Sequence, residues 1–269
     1  MSASLAEPDR AASLIARARW HWRNNPKLEL WLAWWTMVVF YQIFGIVFVL
    51  MTRVMPPPKP WWEPERIAQW FADTHHGLVW GFGIIFLISF MAPACNALIG
   101  YSMRRMSVSP VFAYSYIAIY SVSAIPGMLL AALFLTVGAL RPDRDPVVLS
   151  WLYDAAFMTF VGTMGVFLVG TAVWLVAILL DKNRVFPLWF GYLQICNLLT
   201  EVVVAPAWIF KSGPFAWNGV VTFWVDTLVF AVYTAIFIVM LRRMTVHDDL
   251  GDGPLPEMPQ TATTASLRF

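Results

Sequence analysis

Six apolar stretches, at roughly 30–53, 77–101, 111–138, 149–180, 186–210 and 216–241, decide what this chain can become. Each is long enough to cross the hydrocarbon of a bilayer as a helix, which takes about 20 residues at about 1.5 Å each. A backbone in hydrocarbon must satisfy its own hydrogen bonds, so unbroken apolar runs of this length read as helices. The expected fold is all-α: a polytopic integral membrane bundle of six transmembrane helices. Charge points the same way, since only 13% of the residues are charged, against about 25% in a soluble domain. The fourth stretch is long enough to tilt or to project beyond the bilayer.

Three parts follow: a basic N-terminal arm over 1–29, the six-helix domain over 30–243 and a disordered tail over 244–269. The tail is rich in Asp, Pro and Thr and has too little apolar surface to order. The arm, the second and fourth loops and the tail carry twelve Lys and Arg, whereas the other three loops carry six. This positive-inside bias puts both termini in the cytoplasm of a multi-pass cell-membrane protein. Nearly thirty mixed residues precede the first run, so that run reads as an uncleaved signal-anchor. In the arm, Leu14, Ala18 and Trp22 share one helical face and Arg10 and Arg17 another. That is the pattern of a helix lying on an anionic leaflet, although a plain positive-inside signal accounts for it as well.

The longest connection, 54–75, contains Pro56-Pro57-Pro58, a stiff extended segment. After it, Pro64 to Asp73 reads as a short interfacial helix with Ile67, Trp70 and Phe71 toward lipid. Tryptophans collect at the span ends, with Trp61, Trp62, Trp70, Trp151, Trp208 and Trp217 outside and Trp31, Trp34, Trp35 and Trp189 inside, as amphipathic indoles do. Cys95 and Cys196 fall in apolar runs and are expected to be buried and free. A net charge of +2, with Lys and Arg spread between the runs, argues against nucleic acid as a partner. Membrane lipids, an apolar small-molecule substrate and a second copy of the chain are the partners this pattern allows. Nothing calls for a cofactor.

The costly residues are Glu201 in the fifth stretch and Asp226 in the sixth, because an ionisable side chain inside a span is rare and marks a functional site by default. The two stretches are joined around Gly213-Pro214, with Glu201 twelve residues before Gly213 and Asp226 thirteen after it. Equal distances from the turn of an antiparallel pair mean equal depth, about 3–5 Å outside the midplane. Two carboxylates at one level in a low dielectric do not readily both stay charged, so the pair is expected to hold a proton or a cation. Proton carrier, general acid and cation site are the three chemistries this permits.

Other polar residues extend the pair into a candidate path. Gln194, Asn197 and Glu201 follow i, i+3, i+7 spacing on one face, and Trp208 continues it. Thr222, Asp226 and Tyr233 line the sixth stretch, and His75, Ser89 and Asn96 stand at multiples of seven in the second. Tyr116, Tyr120 and Ser123 form a stripe in the third, and Gln42 lies near mid-depth in the first. Glu201 and Asp226 are assigned the catalytic or ion-handling role. Gln194, Asn197, Ser89, Asn96, Tyr233 and Trp208 are assigned to the substrate, and Asp73, His75, His76 and Asp154 to an outer vestibule. Taken singly, the neutral polar residues serve equally as hydrogen-bonding glue between helices, at about 1 kcal/mol each. No metal site is assigned: adjacent histidines on a helix point about 100° apart, and the HExxH pattern is absent.

Pro93, Pro126 and Pro206 fall inside spans, where each removes a helix hydrogen bond and marks a bending point. Ala-Pro-Ala occurs at 92–94 and again at 205–207, in stretches that would correspond in two inverted three-helix halves, the arrangement that builds a transporter's central site from broken helices. Gly162, Gly165 and Gly170, with Gly81 and Gly83, permit close helix packing without a strict GxxxG pattern. Retinal-binding seven-helix proteins need a deep lysine in their last helix, and here Lys211 is in a loop. Membrane di-iron hydroxylases need histidine clusters that four histidines do not supply. In its size, its several spans and its acidic pair the chain resembles the small integral-membrane terpene cyclases. That resemblance implies protonation of an isoprenoid by Glu201 or Asp226 and rests on no shared motif. Phe210 to Gly219, FKSGPFAWNG, has the look of a signature with no activity attached.

The leading expectation is binding or transport of a small or apolar substrate, with the carboxylate pair as proton or cation site. One alternative is an enzyme acting within the bilayer on a lipid or isoprenoid by general-acid catalysis, its aromatic faces stabilising cationic intermediates. The other is a structural or assembly subunit whose polar residues only hold helices together.

Overall fold

The structure, a computed structural model, describes residues 13–15, 22, 27–124, 129–162 and 164–246. It is all-helical, with no strand among the described residues. Four helices are long and apolar enough to cross a membrane: Leu28–Met51 (α1), the rod Pro64–Arg104, Leu188–Trp208 (α8) and Val220–Val246 (α9). The rod has two segments, Pro64–Ser89 (α2) and Ala92–Arg104 (α3), which meet at a turn just before Pro93. The third and fourth apolar stretches hold shorter helices, Val111–Ala124 (α4) and Leu130–Ala139 (α5), then Pro146–Gly162 (α6) and Met164–Leu180 (α7). Pro126, most of the arm and everything beyond Val246 lie outside the described residues.

Side chains gather into two cores stacked along the bundle. A proximal core lies where α1 begins and α9 ends, and holds Trp34, Met37, Phe40, Leu98, Trp174, Phe190, Phe237 and Met244. A distal core is built on Phe48, Phe71, Leu78, Leu149, Tyr153, Phe157 and Trp217. Spacing of four residues puts Phe40, Phe44 and Phe48 on one face of α1. Their rings stack at 6.1 and 5.4 Å and form a seam between the two cores. The rod serves both: α3 packs on α1 and α4 near the proximal core, while α2 packs on α5 and α6 near the distal one. α8 packs between α7 and α9.

Several expectations are corrected. The segment read as a separate interfacial helix is the first part of α2, and its Ile67, Trp70 and Phe71 face the core rather than lipid. Gly138 of α5 explains this, since a Cβ there would stand 2.6 Å from the Phe71 ring; protein packing, not lipid, holds the segment. Gly170 of α7 receives the Tyr120 ring in the same way. The tryptophan belts divide: Trp35, Trp61, Trp151, Trp189 and Trp208 are exposed, but Trp34, Trp70 and Trp217 are core residues. Cys95 is buried, whereas Cys196 is exposed, because it falls on the face of α8 turned away from its neighbours. The phase of α1 turns Tyr41 onto Phe237, with ring centres 5.7 Å apart, and leaves Gln42 on the outside.

At the proximal end two loops clamp each other through Asp181, which is buried in the connection between α7 and α8. Its Oδ1 accepts from Ser107 N at 2.8 Å, Ser107 Oγ at 3.2 Å and Asn183 N at 3.0 Å. Its Oδ2 accepts from Val185 N at 2.8 Å. Asn183 Nδ2 completes the clamp by donating to Arg105 O at 3.0 Å.

Candidate functional site

α8 carries Gln194, Asn197 and Glu201 on one face, as their spacing requires. Gln194 has no exposure, Asn197 is buried and Glu201 is half-buried. The stripe does not reach Trp208, which is exposed. After Val204 the helix tightens to a 3-10 turn over Ala205–Trp208, and the change to about three residues per turn rotates Trp208 off the face. Pro206 stands in that turn, and Pro93 stands in the first turn of α3. Both Ala-Pro-Ala segments therefore sit where an α-helix starts or ends.

α9 begins with a π-helical turn, Val220–Val225, before the α-helix from Asp226. Such turns are wide and recur at functional sites. Thr222 is buried within it and Asp226, half-buried, follows directly. α8 packs against both this turn and the helix after it. Glu201 and Asp226 stand within electrostatic reach of each other, and Thr200, the residue before Glu201, donates its hydroxyl to Asn197 O at 2.7 Å. The turn distances lead one to expect a common level, and α8 and α9 pack together with both acids half-buried.

Toward the proximal core the pair adjoins a set of tyrosines. Glu201 is within electrostatic reach of Tyr120 and Tyr233. Tyr233 OH donates to Gln194 Oε1 at 2.8 Å, and Tyr120 OH shares a hydrogen bond with Thr171 Oγ1 at 2.8 Å. The Tyr116 ring lies 4.5 Å from that of Tyr120, and Trp174 packs edge-on to Tyr116 at 5.7 Å. Gln194 Nε2, Thr222 Oγ1 and Thr234 Oγ1 are buried with no hydrogen-bond partner. Unsatisfied polar atoms of this kind are costly and mark places where a water, ion or ligand is held. Two carboxyl groups followed by hydroxyl and amide groups can accept a proton, or coordinate a small cation with neutral oxygens beside it.

The other assigned residues fall elsewhere. Ser89 is buried, but its hydroxyl donates to Phe86 O of its own helix at 2.7 Å. Asn96 is half-buried on α3, and the turn between α2 and α3 breaks its register with Ser89 and His75. Of the vestibule residues, Asp73, His76 and Asp154 are exposed, the His75 and His76 rings lie 3.7 Å apart although the residues are adjacent on α2, and His75 Nδ1 bonds Ala72 O at 2.9 Å. Asp154 lies within electrostatic reach of Lys211 in the α8–α9 loop instead. Among the described residues no three His, Cys, Asp or Glu side chains come together as metal ligands. Residues absent from the assignment are Tyr41, Tyr116, Tyr120, Thr171 and Thr200. Tyr116 and Tyr120 were visible as a stripe, whereas Thr171 and Thr200 had no signal in an apolar run.

The chain matches no protein-family model, no curated protein and no solved structure.

Proposed function

We propose that this is a multi-pass cell-membrane protein that binds or transports a small or apolar substrate, with Glu201 and Asp226 as its proton or cation site. The feature that carries the reading is a pair of half-buried carboxyl groups, within electrostatic reach of each other on the packed helices α8 and α9, near hydroxyl and amide groups of the proximal core. Ionisable groups inside spans are expensive unless they serve a purpose. In this reading α4 with α5, and α6 with α7, each cross the membrane as one span, which makes six with α1, the rod, α8 and α9. Both termini then lie in the cytoplasm, as the excess of Lys and Arg requires. Gln194, Asn197 and Tyr233 line the site, and the π turn gives its wall freedom to adjust.

A carbodiimide tests the proton-holding role, because it modifies carboxyl groups that are protonated in an apolar setting. Dicyclohexylcarbodiimide applied to the membrane-embedded full chain at neutral pH should label Glu201 or Asp226, read by peptide mass. Exposed Glu63 and Glu65 should stay unmodified. Labelling at neither acid would remove the proposal. Glu201→Gln and Asp226→Asn should each abolish pH-gradient-dependent solute flux in liposomes while leaving folding nearly intact; loss of folding in both would make the pair structural. A chemically altered lipid after incubation would favour the general-acid enzyme.

A further inference from the structure

The FKSGPFAWNG segment acquires a physical role in the structure, as one wall of a cleft. Gly213 takes φ +81° and starts the turn, in the left-handed region that glycine enters without steric cost. Pro214 O then accepts from Val221 N at 3.1 Å, and Gly219 N donates to Ala216 O at 2.7 Å. A Cβ on Gly219 would run into Pro214 O, so glycine is required there as well. The loop presents two neighbouring side chains for different tasks. Trp217 goes into the distal core, stacked on Phe157 at 5.4 Å, and its Nε1 donates to Pro58 O at 3.0 Å. Asn218 faces a cleft of ≈ 340 Å³, whose other walls are the Pro56–Lys59 segment and the indoles of Trp62, Trp70 and Trp224.

We propose that this cleft binds a neutral, ring-shaped amphiphile bearing a hydroxyl or N–H donor, seated between the indoles and hydrogen-bonded to Asn218 Oδ1. Its volume lies within the range of small-molecule sites, about 300–1,000 Å³, which are mostly apolar with a few placed polar groups. Asn218 lines the cleft and is partly exposed, while its Oδ1 has no hydrogen-bond partner; a turn of the amide presents that oxygen to a guest's donor. Flat aromatic walls favour a flat or cyclic guest. The charge on the ligand follows from the rim: Lys59 lies over the Trp61 ring at 5.5 Å and Arg66 over Trp62 at 5.2 Å. Lys59 is the charged residue in the lining, which holds no carboxylate, and it turns away a cationic guest. Lys59 and Arg66 both already occupy indole faces, which favours a neutral guest over an anionic one. The walls are set in advance, because Pro58 O is held by Trp217 and Lys59 O accepts from Tyr153 OH at 2.9 Å. A preformed site binds without the cost of ordering its own walls. The inference stands apart from the acid pair and does not rest on it.

Equilibrium dialysis of 2-naphthol against the full chain in lipid nanodiscs, with empty nanodiscs as blank, tests the proposal. Saturable binding is expected, with 2-methoxynaphthalene, which lacks the donor, about tenfold weaker. Asn218→Leu should bind the two probes equally, Asn218→Ser should keep the preference, and Trp224→Ala should weaken both probes about tenfold. No saturable binding above the blank would overturn the proposal. So would equal affinity of the native chain for both probes, or a preference that survives Asn218→Leu. Glu201→Gln should bind 2-naphthol as the native chain does, so failure at the cleft and failure at the acid pair are told apart.

Discussion

The two cores differ in how they satisfy polar groups in an apolar bundle. The proximal core pairs side chain with side chain across helices, Tyr233 with Gln194 and Tyr120 with Thr171, and adds one indole bond to a helix carbonyl, Trp34 Nε1 to Ile238 O at 3.0 Å. In the distal core the polar tips of Tyr153 and Trp217 reach the backbone carbonyls of a connecting loop, Lys59 O and Pro58 O. The lesson concerns what each end can do. Side-chain pairs deep in the bundle leave donors and acceptors beside Glu201 and Asp226, which suits handling of a proton or ion. Loop carbonyls pinned by aromatic residues make a firm wall, which suits holding a molecule at the end of the bundle.

The largest expected effect is at the proximal loop clamp. Asp181→Ala leaves four donors without their acceptor and should cost about 3 kcal/mol in detergent unfolding; a loss below about 1 kcal/mol would show that the clamp holds nothing. A matched pair of glycine substitutions sharpens the contrast between the cores. Gly170→Ala pushes on the Tyr120 ring and strains its bond to Thr171, for about 2 kcal/mol, whereas Gly138→Ala pushes on Phe71 alone, for about 1 kcal/mol. Equal thermal shifts would mean that the Tyr120 hydroxyl contributes nothing. Tyr233→Phe should cost about 2 kcal/mol, because Gln194 is fully enclosed and would lose its one partner, while Tyr153→Phe should cost about 1 kcal/mol. The reverse order in chemical denaturation would break the comparison. Gln42→Leu, on the outward face of α1, should change stability by no more than about 0.5 kcal/mol.

Much of the fold was legible in the chain, and the reasons are specific. Long apolar runs identify helices because each residue's preference for hydrocarbon is its own property, independent of neighbours. A shared level for Glu201 and Asp226 could be expected because it needs only the distance of each from one turn. Helix rotation was not. Tyr41 and Gln42 are adjacent, and nothing local says which faces Phe237. Trp208 left the predicted stripe because a 3-10 turn altered the residue period, a change visible only in the backbone. Asp73, His75, His76 and Asp154 were grouped by depth alone, and the contact of the His75 and His76 rings at 3.7 Å depends on side-chain rotation that no spacing gives.

Hydropathy and spacing by themselves determined an all-helical chain suited to a bilayer and gave the expectation of two acids at one depth. Tertiary structure alone decided that those acids come within electrostatic reach of each other, that Tyr120 and Tyr233 come within reach of Glu201, and that Asn218 of FKSGPFAWNG lines a cleft. The division has a physical cause. Transfer to an apolar medium is summed residue by residue along the chain, whereas facing and contact depend on how distant helices interlock, with Gly138 against Phe71 and Gly170 against Tyr120.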